Sequence, residues 1–311
     1  MKKSKNVIAL LLASVIWGAA FIAQRTGGDA IGAYSFTCIR SFIAFVVLIP
    51  VEKLIHKIKK EQEPVRTDFK TLLTGGIVCG LALCLASNLQ QVGISLGAAV
   101  GKAGFLTTFY IIFVPILGLF LKKKCGWNVG LGVILAFCGL YLLCMKDGNL
   151  GLTLPDTLLI LCGLVFAIQI LAIDHFSVLT DVIKLSRMQM LSCGIFSLIP
   201  TFLVDMQHSV SGIAVWSQAL CTWDAWIPLL YAGICSSGIA YTLQVVGQQD
   251  FNPTIASLLM SLESAFSLIF GWLLLHEVLS QKEIAGCIVI FAAVILAQLP
   301  VTEWIRAKRK A

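Results

Sequence analysis

The sequence predicts an all-α polytopic membrane protein with ten transmembrane helices, arranged as two inverted five-helix repeats around a central cavity. Three observations predict this class. First, 58% of the 311 residues are hydrophobic, only 13% are charged, and the mean hydropathy is +0.92, far too apolar for a soluble globular chain. Second, the apolar residues gather into ten runs, each near the roughly 20 residues that a bilayer-spanning helix needs. Third, Ala86-Ser-Asn-Leu-Gln-Gln-Val-Gly93 returns as Ala240-Tyr-Thr-Leu-Gln-Val-Val-Gly247, identical at five of eight positions.

The repeat holds its register beyond that octapeptide. At the same spacing of 154 residues, Leu119, Leu121, Gly132, Ile134 and Phe137 match Leu273, Leu275, Gly286, Ile288 and Phe291. The chain therefore divides at about residue 150, into units 1–150 and 151–311 of five segments each. An odd number of crossings makes successive units enter the membrane from opposite sides, the arrangement found in transporters that expose a midplane site to either face in turn.

The segments follow in order. Segment 1 (7–24) comes after Lys2, Lys3 and Lys5; this pattern, with Ala20 and Ala23, also imitates a cleavable leader. Its pairing with segment 6 at a spacing of 149, Trp17 on Phe166 and Ala23 on Ala172, favours a retained repeat element. Segment 2 (33–51) carries Arg40 and ends at the basic stretch 53–60. Segment 3 (71–92) combines Gly76-x-x-x-Gly80, suited to close helix crossing, with the first octapeptide. Segment 4 (98–121) contains Gly101-Lys102 and Pro115, where a bend is expected. Segments 5 (127–145), 6 (155–174) and 7 (184–204) are apolar runs, the last two carrying Gln169 and Gln189. Segment 8 (226–247) holds the second octapeptide, and Trp216, Trp223 and Trp226 at its start suggest that 205–225 lies partly along the membrane surface. Segment 9 (253–275) carries Glu263, and segment 10 (283–300) closes the second unit. The longest intervening stretches, 52–70 and 205–225, are too short to be domains.

Charge sets the expected orientation. With the N-terminus in the cytoplasm, 18 basic residues fall on inside segments and only Arg25, Lys146 and Lys282 outside, which places both termini in the cytoplasm of a cell-membrane protein. The net charge of +7 is accounted for by this asymmetry, so no nucleic-acid partner is expected. The stretch 53–60 fits an orientation signal, or a contact for acidic lipid heads or a partner. Nine of the eleven cysteines lie in apolar segments and read as small packers; their odd number and the lack of a Cys-x-x-Cys pair support neither a disulfide framework nor a zinc site.

Ionisable groups inside the bilayer cost at least about 2.5–3.5 kcal/mol each and need a reason. Glu263, in mid-segment, is the foremost functional candidate, because a carboxyl in a low-dielectric cavity can exchange protons near neutral pH. It fits a carrier of a coupling proton, an anchor for a substrate ammonium, or a tether to Lys102 or a neighbouring glutamine. Lys102, among small residues in the outer third of segment 4, fits a ligand for a carboxylate or phosphate, or a side chain reaching for water. Arg40 fits a ligand or a partner of helix-end carbonyls. Gln90 and Gln244 are repeat equivalents, which an inverted-repeat axis can bring together near the midplane as cavity lining, with Tyr241 beside Gln244. For Asn88 and Gln91 interhelical hydrogen bonding is the preferred reading, and Thr107, Thr108 and Tyr110, opposite Ser261 and Ser264 in the repeat, offer hydroxyl contacts.

Trp17-Gly-Ala-Ala-Phe21, Arg40, Gly101-Lys-Ala-Gly-Phe105, Val114-Pro115, Leu262-Glu-Ser-Ala-Phe266 and Gly271-Trp-Leu-Leu-Leu-His-Glu277, in this order, resemble the EamA-type members of the drug/metabolite transporter superfamily over nearly the whole chain. The resemblance implies a basket of ten helices, a cavity lined mainly by segments 1, 3, 4, 6, 8 and 9, and peripheral segments 5 and 10. It also implies a departure. Many relatives have Glu-Pro where this chain has Glu263-Ser264, so segment 9 is expected to be straighter here.

Together these features predict a secondary active transporter that moves a small polar metabolite, most readily an amino acid or derivative outward, since Arg40, Lys102 and Glu263 would suit a zwitterion. The competing reading within transport is a nucleotide-sugar or phosphate-compound exchanger. A membrane-embedded lipid-modifying enzyme would need acid and base groups gathered at one interface, whereas His56, His175, His208 and His276 are scattered; the chain is therefore read as not an enzyme. No Gly-x-x-x-x-Gly-Lys-[Ser/Thr] loop is present, so ATP is not the expected drive. The expected partners are the bilayer, the substrate, protons or a counter-substrate, and in one arrangement a second copy of the chain; no cofactor or metal is expected.

Overall fold

The computed structural model describes residues 2–58, 67–98, 100–123, 126–144, 153–275 and 281–298, and every regular element within them is helical. Lys59, Lys60 and Arg66 of the basic loop, Lys124, Lys146, His276, Glu277 and the basic run from Arg306 lie outside the described residues. The first half contains α1 (Lys2–Ile31), α2 (Ala33–Ile58), α3 (Phe69–Ser95), the broken pair α4 (Val100–Thr107) and α5 (Tyr110–Phe120), and α6 (Trp127–Cys144). The second half begins with α7 (Leu154–Phe176) and α8 (Val182–Pro200), which runs on into a π-helical turn at Thr201–Asp205. A short α9 (Val210–Ala219) precedes α10 (Trp223–Leu230), a π-helical stretch Tyr231–Ala240 and α11 (Tyr241–Gln248), which together form one rod. The broken pair α12 (Pro253–Met260) and α13 (Glu263–Leu275) and finally α14 (Gln281–Gln298) complete it.

Seven of these runs are long and apolar enough to cross a membrane, and α6 and α14 contain the shorter apolar stretches Trp127–Gly139 and Ile284–Ala297. The remaining sequence segment, 33–51, falls on α2. The distribution of side chains is that of a protein dissolved in lipid: Val46, Leu119, Ile134, Ile288 and Ile295 point outward, while Gln90, Gln169, Gln189 and Gln244 are buried. In hydrocarbon a polar group is stabilised only by another protein group, so the polar residues turn inward. Within 205–225, α9 buries no residue and leaves Val210 and Val215 exposed.

The packing has a pseudo-two-fold logic. An axis relating the halves must bring equivalent segments together, and α2 packs on α8, α6 on α14, and α4 and α5 on α13 and α12. Non-equivalent contacts come in matching sets: α3 packs on α7 as the rod from Trp223 to Gln248 packs on α1. The α3–α8 crossing depends on glycine, since a Cβ on Gly80 would lie 2.5 Å from Ser192 Cβ and 2.7 Å from the Gln189 carbonyl oxygen.

Local chemistry fixes the helix ends. Asp68, Asp181 and Asn252 cap α3, α8 and α12 by accepting hydrogen bonds from backbone N–H groups of the first turn. The Thr71 N–H and hydroxyl hold the exposed Asp68 carboxyl below the usual carboxylate range. Gly32, at φ +92°, makes the reversal from α1 to α2. There Asp205, at the far end of α8, accepts from the Ser35 N–H at 2.6 Å and the Ser35 hydroxyl at 2.7 Å.

Candidate functional site

The site begins at the two helix breaks. Between α4 and α5 the Thr108 hydroxyl donates to the Phe105 carbonyl at 2.8 Å, and the N–H groups of Phe109, Ile111 and Ile112 turn to carbonyls three residues back. The tightening lies N-terminal to Pro115, the side on which a proline disturbs a helix, and Pro115 itself sits inside α5. Segment 9, expected to be straighter, is instead interrupted at Ser261 and Leu262 without a proline. Here the Ser261 hydroxyl donates to the Leu258 carbonyl at 2.8 Å and the Leu262 and Ser264 N–H groups reach back three residues. Serine hydroxyls that compete for backbone carbonyls account for a break that proline produces elsewhere. The repeat spacing of 154 places Thr108 on Leu262, so the breaks occupy equivalent places in antiparallel halves.

The breaks face each other. Tyr110, first residue of α5, donates its hydroxyl to Glu263 Oε1 at 3.0 Å, and Glu263 is the first residue of α13. The Ser264 hydroxyl reaches the Gly104 carbonyl at 3.2 Å and Thr108 Oγ1 at 3.3 Å. The tether suggested between Glu263 and Lys102 or a glutamine is replaced by this tyrosine contact.

Beside the breaks lies a narrow cavity of about 30 Å³, room for about two waters. Its walls carry the rings of Trp17, Phe21, Tyr110, Phe166 and Tyr241, the polar groups of Gln24, Gln90, Thr107, Ser236, Gln244 and Glu263, and the aliphatic Ile170 and Met260. These come from segments 1, 3, 4, 6, 8 and 9, while α6 and α14 stand outside, as the resemblance implies. Trp17 and Tyr241 meet edge to face at 4.9 Å.

Glutamines bind the walls together. Gln90 donates to Thr107 Oγ1 at 3.1 Å, and Gln244 donates to Gln169 Oε1 at 3.1 Å, so the repeat-related pair lines one cavity without bonding to each other. Gln91 donates to the Gln24 carbonyl at 2.6 Å, and Asn88 to Ser197 Oγ at 3.2 Å, both interhelical. Among the described residues, three buried polar atoms of the lining have no hydrogen-bond partner: Trp17 Nε1, Gln24 Oε1 and Ser236 Oγ. Ser236 belongs to the π-helical stretch, whose wider turns are frequent at functional sites.

The two bilayer cations stand apart from these walls. Arg40 is 2% exposed and lies 5.8 Å over the Phe36 ring, close enough to Tyr241 and Cys193 to act on them electrostatically. Among the described residues no carboxylate forms an ion pair with it. Lys102 pairs at 2.8 Å with Asp156 Oδ2, which also accepts from the Thr153 N–H and hydroxyl. Sequence reasoning passed over Asp156, although Thr153-Leu-Pro-Asp156 carries the spacing of a capping box. It also passed over Gln24 and Ser236 as lining, for which the sequence holds no signal beyond polarity in an apolar run.

Comparison with known proteins agrees with this architecture. The model of the EamA-like transporter family matches residues 4–145 and 153–299. An uncharacterised transporter of Archaeoglobus fulgidus is 29% identical over 94% of this chain and 86% of its own length. The uncharacterised transporter YoaV of Bacillus subtilis is 24% identical over 94% of this chain and 96% of its own. One solved crystal structure superposes with a TM-score of 0.73 at 14% identity, covering 95% of this chain and 96% of that one, a likeness of fold.

Proposed function

Because the chain belongs to the EamA-like transporter family, we propose that it is a secondary active transporter that exports an amino acid or amino-acid derivative across the cytoplasmic membrane, with both termini in the cytoplasm. The observation that carries this reading is the small cavity, lined by polar and aromatic groups, between two inverted helix breaks, with Glu263 at one of them. Glu263 holds a coupling proton or the substrate ammonium, Gln90, Gln244 and Tyr241 orient the substrate, and Arg40 supports Tyr241 from behind. The broken rods act as hinges, because a tightened turn has few regular hydrogen bonds to lose when it flexes. Bonds between the halves close both ends: Lys102 to Asp156 at one, and at the other Asn6 to the Gln249 carbonyl together with Arg187 to Glu52, each 2.8 Å. A metabolite needs more room than about 30 Å³, so it enters when one set of these contacts parts. The drive is a proton or counter-substrate gradient, and the membrane potential adds about 2.3 kcal/mol per charge per 100 mV.

The test compares metabolites in cells and medium for cultures producing wild type or Glu263→Gln at equal membrane levels. A small molecule redistributed by wild type alone identifies the substrate and ties Glu263 to its movement. If wild type redistributes no compound in its native host, relative to a strain lacking it, the transporter reading falls.

A further inference from the structure

We propose that the cavity is built for an organic ammonium: an amine with an aromatic or apolar body and a neutral hydrogen-bond acceptor, and without a carboxylate. The inference rests on the transporter reading and narrows its substrate to one class, amino-acid derivatives whose acid group is absent or masked.

The chemistry of the walls carries it. Five aromatic rings and one carboxyl group, that of Glu263, line the cavity, and among the described residues no lysine, arginine or histidine does. Aromatic faces attract a cation, most strongly where water is excluded. Of the Glu263 oxygens, Oε1 accepts from Tyr110 at 3.0 Å, and an ammonium can be received at the carboxylate alongside that bond. The unpartnered Gln24 Oε1 is a second acceptor among the lining residues, suited to an N–H of the ligand. The unpartnered Trp17 Nε1 can only donate, and the Ser236 hydroxyl can also do so; a ligand that satisfies them brings a hydroxyl or carbonyl oxygen.

A substrate carboxylate finds no such welcome. Neither Arg40 nor Lys102 is among the described lining residues, and in this closed form Lys102 is paired with Asp156. A free acid would sit against Glu263 and π faces with no cation in contact, and an unpaired buried charge is among the costliest groups to bind.

Three probes of one shape decide the matter with the purified full-length protein at neutral pH: L-phenylalaninol, which carries ammonium and hydroxyl; L-phenylalanine, which adds the carboxylate charge; and 3-phenylpropan-1-ol, which lacks the amine. Calorimetric titration is expected to show phenylalaninol binding about 30-fold or more tightly than either of the others, the scale of a buried charge gained or stranded. Glu263→Gln is expected to lower phenylalaninol to the level of phenylpropanol. Where that variant does not fold, the ranking on wild type alone decides. Phenylalanine binding as well as phenylalaninol, or no binding of phenylalaninol, overturns the proposal. The transporter reading is judged separately: if the redistributed metabolite proves to be an acid or a zwitterion, transport stands and the ammonium assignment falls.

Discussion

The two helix breaks share a backbone solution and differ in chemistry. At Thr108 and Phe109 the first half offers the neutral hydroxyl of Thr108 and then the phenol of Tyr110; at Ser261 and Leu262 the second half offers a hydroxyl and then the acid Glu263. Tyr110 and Glu263 each open the helix that follows its break, and the hydrogen bond between them joins the halves at 3.0 Å. Duplication thus supplies a helix break twice, whereas the acid stands at only one of them. Two acids in these positions would repel each other, and two neutral groups would leave the junction without an ionisable side chain.

The largest effect should come from breaking the link where the two sides meet. Tyr110→Phe keeps the ring but takes away the donor, leaving a buried Glu263 oxygen with one partner fewer, a loss of about 1–3 kcal/mol. We expect a lower thermal midpoint and a fall in transport of about tenfold or more, on the scale of 1.4 kcal/mol per factor of ten. Thr108→Val, on the neutral side of the comparison, should cost less on both readouts. Equal losses in the two variants would show that the breaks matter only as scaffold and that the acid has no special place.

A smaller effect is expected at the entrances. The rod of the first break begins near Lys102, which is tied across the halves to Asp156 by an ion pair, while the end of the second half opposite it is joined by the neutral bond from Asn6 Nδ2 to the Gln249 carbonyl. The Lys102 side chain is 40% exposed, so its coupling to Asp156 should be near 1 kcal/mol or below and weaken with salt. Asp156→Asn should cost more than Lys102→Met, because Asp156 also accepts from the Thr153 N–H and hydroxyl at the start of α7. A double-mutant cycle followed by thermal unfolding measures the coupling. Either variant should retain transport, and a complete loss in Lys102→Met alone would make that lysine a substrate ligand.

Much of this comparison is legible in the sequence, though unevenly. The matched octapeptides place Gln90 and Gln244 on equivalent turns, and the cost of an acid in an apolar run singles out Glu263, because both signals are local. Partner choice is not local. Glu263 and Lys102 invite pairing on charge alone, yet helix crossing brings Tyr110 and Asp156 to them instead. Helices that are apolar on every side give no face to read, so the inward turn of Trp17 and Gln24 has no periodic signature. The break in segment 9 escaped notice because proline is the usual sign of one, and here serines and tertiary contacts take its place.

The smallest effect tests that last substitution. The Ser264 hydroxyl has one proton, shared between the Gly104 carbonyl and Thr108 Oγ1, which links the second break to the first. Interhelical hydrogen bonds of this kind average about 0.6 kcal/mol, so Ser264→Ala should lower the thermal midpoint only slightly and leave transport intact. The reason is that the turn at Ser261 is held by its own bonds, the Ser261 hydroxyl to Leu258 and the N–H groups of Leu262 and Ser264 to carbonyls three residues back, none of which needs the Ser264 side chain. If Ser264→Ala instead abolishes transport while Ser261→Ala does not, the hydroxyl link between the halves holds the second break in shape. The two breaks would then be a single hinge shared by both repeats.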